Sequence, residues 1–201
     1  MDMFDALTIN EHAQETIVCL HGFGSTPQNM AAAVTQLGEY RYVLPRGPHK
    51  YVGGYGWYNI LKSDEQHREA SIASLVDFIT DLKRQQGFDR CFLLGFSQGA
   101  ELAYKIAVER PELVRAAVGI VGWLAHPEAL RVSPASKSVS ILAINGSRDL
   151  VLPPTFCKGS CIEKTLHAVD VQCELKIFPM GHEMSDECAA YIKQWLGRHT
   201  R

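Results

Sequence analysis

The chain has 201 residues, 46% of them hydrophobic and 21% charged, a balance that excludes disorder and fits one domain over residues 1–201. Its net charge is −2 and its basic residues are scattered, so the sequence predicts no nucleic-acid partner. The N-terminus lacks a basic signal region and no apolar run approaches membrane length, which predicts a soluble, cytoplasmic protein without stable membrane insertion.

Strand-like apolar runs alternate with helical segments along the chain. The predicted strands cover residues 16–20, 40–44, 91–94, 116–121, 140–144 and 171–178. The predicted helices cover residues 29–37, 63–86, the segment after Ser97, 161–169 and 185–196. This alternation predicts an α/β fold with a mostly parallel central sheet and helices on both faces. The segment 123–140 leaves little room for a lid.

A nucleophile motif stands between a predicted strand and a predicted helix. The pentapeptide Gly95-Phe96-Ser97-Gln98-Gly99 has the G-x-S-x-G pattern of a nucleophile elbow, a tight turn that exposes a serine hydroxyl at the sheet edge. Ligands bind at the carboxyl ends of the strands in such sheets, so catalytic residues should directly follow strands. Ser97 is therefore the predicted nucleophile, with an ordinary turn as the alternative.

A serine nucleophile needs a base to take its proton and an acid to orient that base. Of the eight histidines, His182 directly follows the last predicted strand, which favours it as the base. Asp149 follows the strand over residues 140–144 and gives the order Ser, Asp, His that is expected after an elbow. Asp170 is the main rival for the acid, but it precedes a strand and so belongs to the opposite edge of the sheet.

Two backbone N–H groups are candidates for the oxyanion hole. One is that of Gln98, which follows the nucleophile at a helix N-terminus. The other is that of Phe23, in a glycine-rich loop after the first predicted strand, where a simple turn is the alternative. Aromatic and apolar residues near the cleft are candidates for contact with the acyl group, with ordinary rim packing as the alternative: Trp57, Tyr58, Trp123 and Leu152.

The six cysteines do not complete a zinc site. Cys157 and Cys161 are four residues apart, but no second pair accompanies them. Cys19, Cys91 and Cys173 lie in apolar runs typical of buried free thiols. We expect neither a metal nor a cofactor, and a metal or oxidant acting on Cys157 and Cys161 is the alternative.

Taken together, the motifs resemble those of the phospholipase/carboxylesterase family of α/β-hydrolases, the group that includes the acyl-protein thioesterases. The likeness spans about residues 16–196. The matching segments, in order, are Leu20-His21-Gly22-Phe23-Gly24, Leu44-Pro45-Arg46-Gly47-Pro48 with Gly56-Trp57-Tyr58-Asn59-Ile60, Gly95-Phe96-Ser97-Gln98-Gly99-Ala100, Asn145-Gly146-Ser147-Arg148-Asp149 and Gly181-His182-Glu183. The chain departs from the family at Phe23, commonly leucine, and at Ser25, commonly aspartate.

The resemblance implies a serine hydrolase that cleaves carboxylic esters, or thioesters, of acyl substrates through an acyl-enzyme. Carboxylic esters, lysophospholipids and S-acyl proteins all need the same triad, so the sequence leaves the substrate open. A non-catalytic binding module and an acyltransferase with the same triad are the alternatives, and an intact triad argues against the binding module. A monomer and a homodimer are both compatible with the sequence.

Overall fold

The structure, a computed structural model, describes residues 4–60, 62, 64–152 and 162–200. The strands in this part of the chain are β1 Ala6–Ile9, β2 Thr16–Leu20, β3 Arg41–Pro45, β4 His49–Tyr51, β5 Gly54–Gly56, β6 Cys91–Phe96, β7 Val114–Ile120, β8 Ser140–Gly146 and β9 Gln172–Phe178. The α-helices are α1 Pro27–Val34, α2 Glu65–Gln86, α3 Gln98–Glu109, α4 Ile162–His167 and α5 Asp186–Gly197.

Seven strands form one sheet in the order β1-β3-β2-β6-β7-β8-β9. All neighbours are parallel except β1, which pairs antiparallel with β3 at the edge. The chain runs outward from β2 to β3 and then returns to β6 on the other side of β2. The strand order therefore reverses between β2 and β6, and the loops after these two strands border the crevice where such sheets bind ligands.

Helices cover both faces of the sheet, and alternate residues of each strand point to opposite faces. On one face, Val18 and Leu93 belong to the cluster that contains the buried side of α2 and α3. On the other, Ile17 and Phe92 belong to the cluster that contains α1 and α5. The strands are apolar on both sides because both sides are covered.

The sequence did not predict two of the strand pairings, that of β1 with β3 and that of β4 with β5. The four residues of β1 are only half buried and too short to give a periodic signal. The hairpin of β4 and β5 turns through Gly53, whose φ of 89° favours glycine. Helix α1 begins at Pro27, two residues before the predicted start, because Thr26 Oγ1 caps it by accepting the Asn29 N–H at 3.1 Å.

The remaining predicted elements are present with slightly shifted ends. Between β7 and β8 the chain forms two short 3₁₀ turns, Pro127–Ala129 and Pro134–Ser138. Among the described residues, no helix is both long and apolar enough to cross a membrane, and no cluster of three metal-ligating side chains occurs.

The four described cysteines are buried, and Cys19, Cys91 and Cys188 among them are free thiols. Burial raises the pKa of the Cys91 and Cys188 thiols to about 12, so both are protonated at neutral pH. Cys157 and Cys161, for which a metal or oxidant interaction was the alternative, lie outside the described residues.

Candidate active site

The nucleophile elbow is the sharp turn between β6 and α3. Ser97 has φ 52° and ψ −114°, a conformation that costs a non-glycine residue roughly 1–3 kcal/mol. A Cβ on Gly95 would clash with the backbone carbonyl of Gly99, and a Cβ on Gly99 would clash with that of Leu20. Glycine at both positions lets α3 begin directly against β2 and β6, and this close packing maintains the strained serine.

Asp149 and His182 follow β8 and β9, and their side chains are hydrogen-bonded. His182 Nδ1 lies 2.8 Å from Asp149 Oδ2. The other carboxylate oxygen, Oδ1, accepts the backbone N–H groups of Val151 and Leu152, each at 2.8 Å. The Asp149 side chain is 1% exposed and that of His182 is 20% exposed, so the predicted base keeps access to the cleft. With Nδ1 bound to the carboxylate, the imidazole presents Nε2 for proton transfer.

The loop after β2 and the His182 ring both lie against the elbow. A Cβ on Gly22 would be 3.4 Å from Ser97 Cβ. The centroids of the His182 and Phe96 rings are 5.2 Å apart, with the rings edge to face. Ser97, Asp149 and His182 thus lie at the carboxyl edge of the sheet, beside the reversal of strand order.

Both predicted oxyanion donors have a free backbone N–H group. Within the part of the chain that the structure describes, neither the Phe23 nor the Gln98 amide has a hydrogen-bond acceptor. The Gln98 amide belongs to the first turn of α3, whose N–H groups have no partner within the helix. Two hydrogen bonds tie the Phe23 loop to the hairpin: Gly24 N–H to Tyr55 O at 2.8 Å and Tyr55 N–H to Ser25 O at 2.7 Å.

His21 holds the loop that carries Phe23 by hydrogen bonds of its ring, a role that sequence reasoning missed. Its ring is buried, and Nε2 accepts the Gly47 N–H at 3.0 Å. Nε2 is therefore unprotonated, and Nδ1 carries the proton that it donates to Gly22 O at 2.8 Å. Burial lowers the pKa of His21, partly offset by the bond to Gly22, and so favours this neutral form. Its position at the end of a fully buried strand was the available signal.

Trp57 lies in the core and not on an open cleft wall. It is 0% exposed, and its indole Nε1 donates to the His21 carbonyl at 2.9 Å. The Gln98 side chain, also buried, accepts the Trp57 N–H at 3.0 Å and donates to Tyr58 O at 2.7 Å. For Trp57 the geometry therefore favours the packing alternative over contact with an acyl group.

Tyr58 is likewise buried, and its hydroxyl donates to the carboxylate of Glu101. Arg68 Nη1 lies 3.4 Å from the second oxygen of this carboxylate. Burial raises the pKa of Glu101, while Tyr58 and Arg68 oppose the shift. Sequence reasoning missed this group, because helix α3 is buried nearly all round and Glu101 has no polar face to mark it. The network binds the segment after β5 to α2 and α3, so Tyr58 also has a packing role.

Trp123 and Leu152 are half-buried and remain available to a ligand. Trp123 follows β7, and Leu152 follows the acid, so both lie beyond carboxyl ends of strands. The Leu152 backbone also holds Asp149 through its N–H. These two residues, unlike Trp57 and Tyr58, fit the predicted contact with an acyl group.

The rival candidates lie elsewhere. Asp170 precedes β9 and forms an exposed ion pair with Lys137 at 2.8 Å. His67 is bound to Asp64 on the first turn of α2, and His199 packs on Trp195 near the C-terminus.

The chain was compared with known proteins. A profile of the phospholipase/carboxylesterase family matches residues 6–200. The chain belongs to this family. It is therefore a hydrolase with the α/β-hydrolase fold, and both the predicted resemblance and the predicted fold class are confirmed.

Individual relatives are distant. Acyl-protein thioesterase 1 of Saccharomyces cerevisiae is 23% identical over 160 residues, which cover 69% of this chain and 70% of that protein. The carboxylesterase of Mesorhizobium loti is 22% identical, with a TM-score of 0.83 over 97% of this chain and 95% of that one. The Bacillus cereus carboxylesterase is 16% identical, with a TM-score of 0.85 over 98% and 95%. At these identities, the solved structures show the shared fold alone.

Proposed function

We propose that this hydrolase cleaves carboxylic esters, and thioesters, of acyl substrates through a covalent acyl-enzyme on Ser97. The observation that carries the proposal is the Asp149–His182 hydrogen bond of 2.8 Å beside a serine held at positive φ. An acid fixed by two backbone donors, a base with free Nε2 and a strained serine are the parts that acyl transfer to serine requires.

In the proposed first half-reaction, Ser97 Oγ attacks the acyl carbonyl carbon while His182 Nε2 takes the hydroxyl proton. The carbonyl oxygen becomes an oxyanion, for which the N–H groups of Phe23 and Gln98 are the donors. The carbon–oxygen or carbon–sulfur bond to the leaving group then breaks, and His182 gives its proton to the departing atom. Asp149 stabilises the imidazolium that exists between these two transfers.

In the second half-reaction, a water molecule replaces the leaving group. His182 takes a proton from the water as its oxygen attacks the acyl carbon, and the resulting oxyanion occupies the same donors. Collapse releases the carboxylic acid and returns the proton to Ser97 Oγ. The chain thus needs no cofactor for the reaction.

The test is replacement of Ser97 by alanine. We expect Ser97→Ala to lower kcat for ester hydrolysis by a factor on the order of 10⁴ to 10⁶, because the nucleophile is lost while the oxyanion donors stay. A fluorophosphonate probe should label the wild type and not the variant. Ser74→Ala, at an exposed serine of α2, is the control and should keep both activity and labelling. Unchanged turnover in Ser97→Ala would contradict the mechanism.

A further inference from the structure

A cavity of about 280 Å³ borders the catalytic base on the side of helix α1. Its lining includes His182, and its apolar wall is made by side chains of α1, of the ends of β6 and β7, and of the loop after His182: Met30, Ala33, Val34, Phe96, Ile120 and Met184. Apart from His182, no residue of the proposed triad and none of the acyl-contact candidates lines this cavity.

The position of the cavity relative to His182 indicates what part of a substrate enters it. His182 Nδ1 is held by Asp149, so Nε2 is the atom that protonates the leaving group. Proton transfer requires the leaving oxygen or sulfur within roughly 2.6–3.2 Å of that nitrogen. The carbon chain attached to the leaving atom then begins beside His182, and this cavity opens beside the same residue.

The acyl chain leaves the reacting carbon in another direction. Its carbonyl oxygen points to the Phe23 and Gln98 amides, and the carbon is bonded to Ser97. Trp123 and Leu152, the half-buried candidates for acyl contact, do not line the cavity. The two halves of an ester would therefore occupy separate walls of the cleft.

We propose that this cavity is the leaving-group subsite and that it selects esters and thioesters of small, neutral, apolar alcohols and thiols. The inference rests on the proposed function. The volume of about 280 Å³ lies just below the range of roughly 300–1,000 Å³ that holds drug-sized ligands, so a group of a few carbons fits and a bulky one does not.

The rim of the cavity adds a charge preference. Glu183, which is exposed and follows His182 in the chain, lines the cavity, as do the polar residues Ser25 and Asn29. A carboxylate at this place repels an anionic leaving group such as a phosphate-bearing alcohol. Neutral alcohols carry no such penalty and bury their carbon atoms against Met30 and Phe96.

The cavity can be filled from α1 with a matched control on the same helix. Ala33 lines the cavity, whereas its neighbour Ala32 is exposed and does not line it. Two ester series are measured as kcat/KM: acetate esters with leaving groups from methyl to hexyl, and methyl esters with acyl chains of the same lengths. The first series varies the leaving group alone, and the second varies the acyl group alone.

We expect Ala33→Leu to lower kcat/KM for hexyl acetate relative to methyl acetate by roughly tenfold or more, because the added side chain removes space for the alkyl group. The acyl series should keep its wild-type length dependence, and Ala32→Leu should change neither series. Met184→Ala, which enlarges the cavity, should shift the preference toward longer leaving groups. A general loss of folding would not produce such a shift, so this variant tests whether the leaving group occupies the cavity.

Two results would overturn the subsite. A penalty in Ala33→Leu that follows acyl length would make the cavity an acyl site, and equal effects on all esters would mean that no part of the substrate enters it. Failure of the proposed function is a different outcome, in which Ser97→Ala keeps the wild-type rates of both series.

Discussion

The elbow and the loop that carries Asp149 both place a side chain at the carboxyl edge of the sheet, yet different forces hold the two groups. Ser97 is positioned by backbone contacts so close that a Cβ at Gly95 or Gly99 has no room. Asp149 is positioned by three hydrogen bonds to its carboxylate. The position of Ser97 is therefore sensitive to added volume. The position of Asp149 is sensitive to whether each of its two terminal atoms can accept a hydrogen bond.

The largest effect that separates the two modes is expected from Asp149→Asn. The Val151 and Leu152 N–H groups require an oxygen, so the asparagine must turn its NH₂ toward His182 Nδ1. His182 Nδ1 then accepts a hydrogen bond and cannot carry the imidazole proton. This proton is held on Nε2 instead, where it prevents Nε2 from taking the proton of Ser97. We expect kcat to fall by roughly 10⁴-fold with little loss of stability. Steady-state kinetics and urea unfolding measure the two quantities.

Asp149→Ala is the matched comparison. It leaves both backbone N–H groups without their acceptor, so it should lower kcat and also lower the free energy of unfolding by roughly 1–3 kcal/mol. Equal stability of the asparagine and alanine variants would show that the hydrogen bonds do not hold the loop.

For the elbow, the informative change is the addition of one methyl group. Gly99→Ala places a Cβ against the Leu20 carbonyl, so we expect the free energy of unfolding to fall by roughly 3 kcal/mol. Activity should fall about a hundredfold in the folded fraction, because a displaced elbow moves the nucleophile. Thermal or urea unfolding and kinetics at a temperature where the variant is folded test both.

Gly197→Ala is the control, because nothing lies within 4 Å of a Cβ at the end of α5. It should be neutral or stabilising by up to about 1 kcal/mol. Similar losses of unfolding free energy in Gly99→Ala and Gly197→Ala would contradict the claim that close backbone packing positions the elbow.

The smallest effect concerns His21, which combines the two kinds of positioning. Its ring is held by hydrogen bonds, and the neighbouring Gly22 is closely packed against the elbow. Burial lowers its pKa, so below the ordinary value of 6.5 the unfolded chain binds more protons than the folded one. This part of the stability is present above pH 6.5 and is lost as the pH falls toward the folded-state pKa. His21→Gln keeps an acceptor for Gly47 without titrating, so unfolding between pH 7 and 5 should show a smaller pH slope.

At neutral pH the same variant should lose about 1 kcal/mol, since the Nδ1–H bond to Gly22 is absent. His12→Gln, at an exposed site near the N-terminus, is the control and should keep the wild-type stability at neutral pH. An unchanged slope in His21→Gln would assign the acid sensitivity to other groups.

Sequence reasoning succeeded where one local pattern carries the information. The β6–elbow–α3 unit and the strand ends before Asp149 and His182 can be read from apolar runs and glycines, and parallel strands bring such ends to one edge. The fold class follows from the same alternation, and the comparisons confirm it.

What the sequence could not provide depends on partners distant in the chain. Trp57 is buried because His21 and Gln98, which lie 36 and 41 residues away, take its two N–H groups. Glu101 is buried because Tyr58 and Arg68 reach it from other elements. The sequence pattern of residues 57–60 does not tell whether Trp57 and Tyr58 are buried in such a hydrogen-bond network or exposed on a cleft wall.

Gln98 joins two tasks in one residue. Its backbone N–H is a proposed oxyanion donor, and its side chain clamps Trp57 and Tyr58. Displacement of residues 57–58 would therefore also displace Gln98. If Gln98 is the oxyanion donor that we propose, such a displacement would slow the chemical step and leave substrate binding unchanged, although both aromatic side chains are buried.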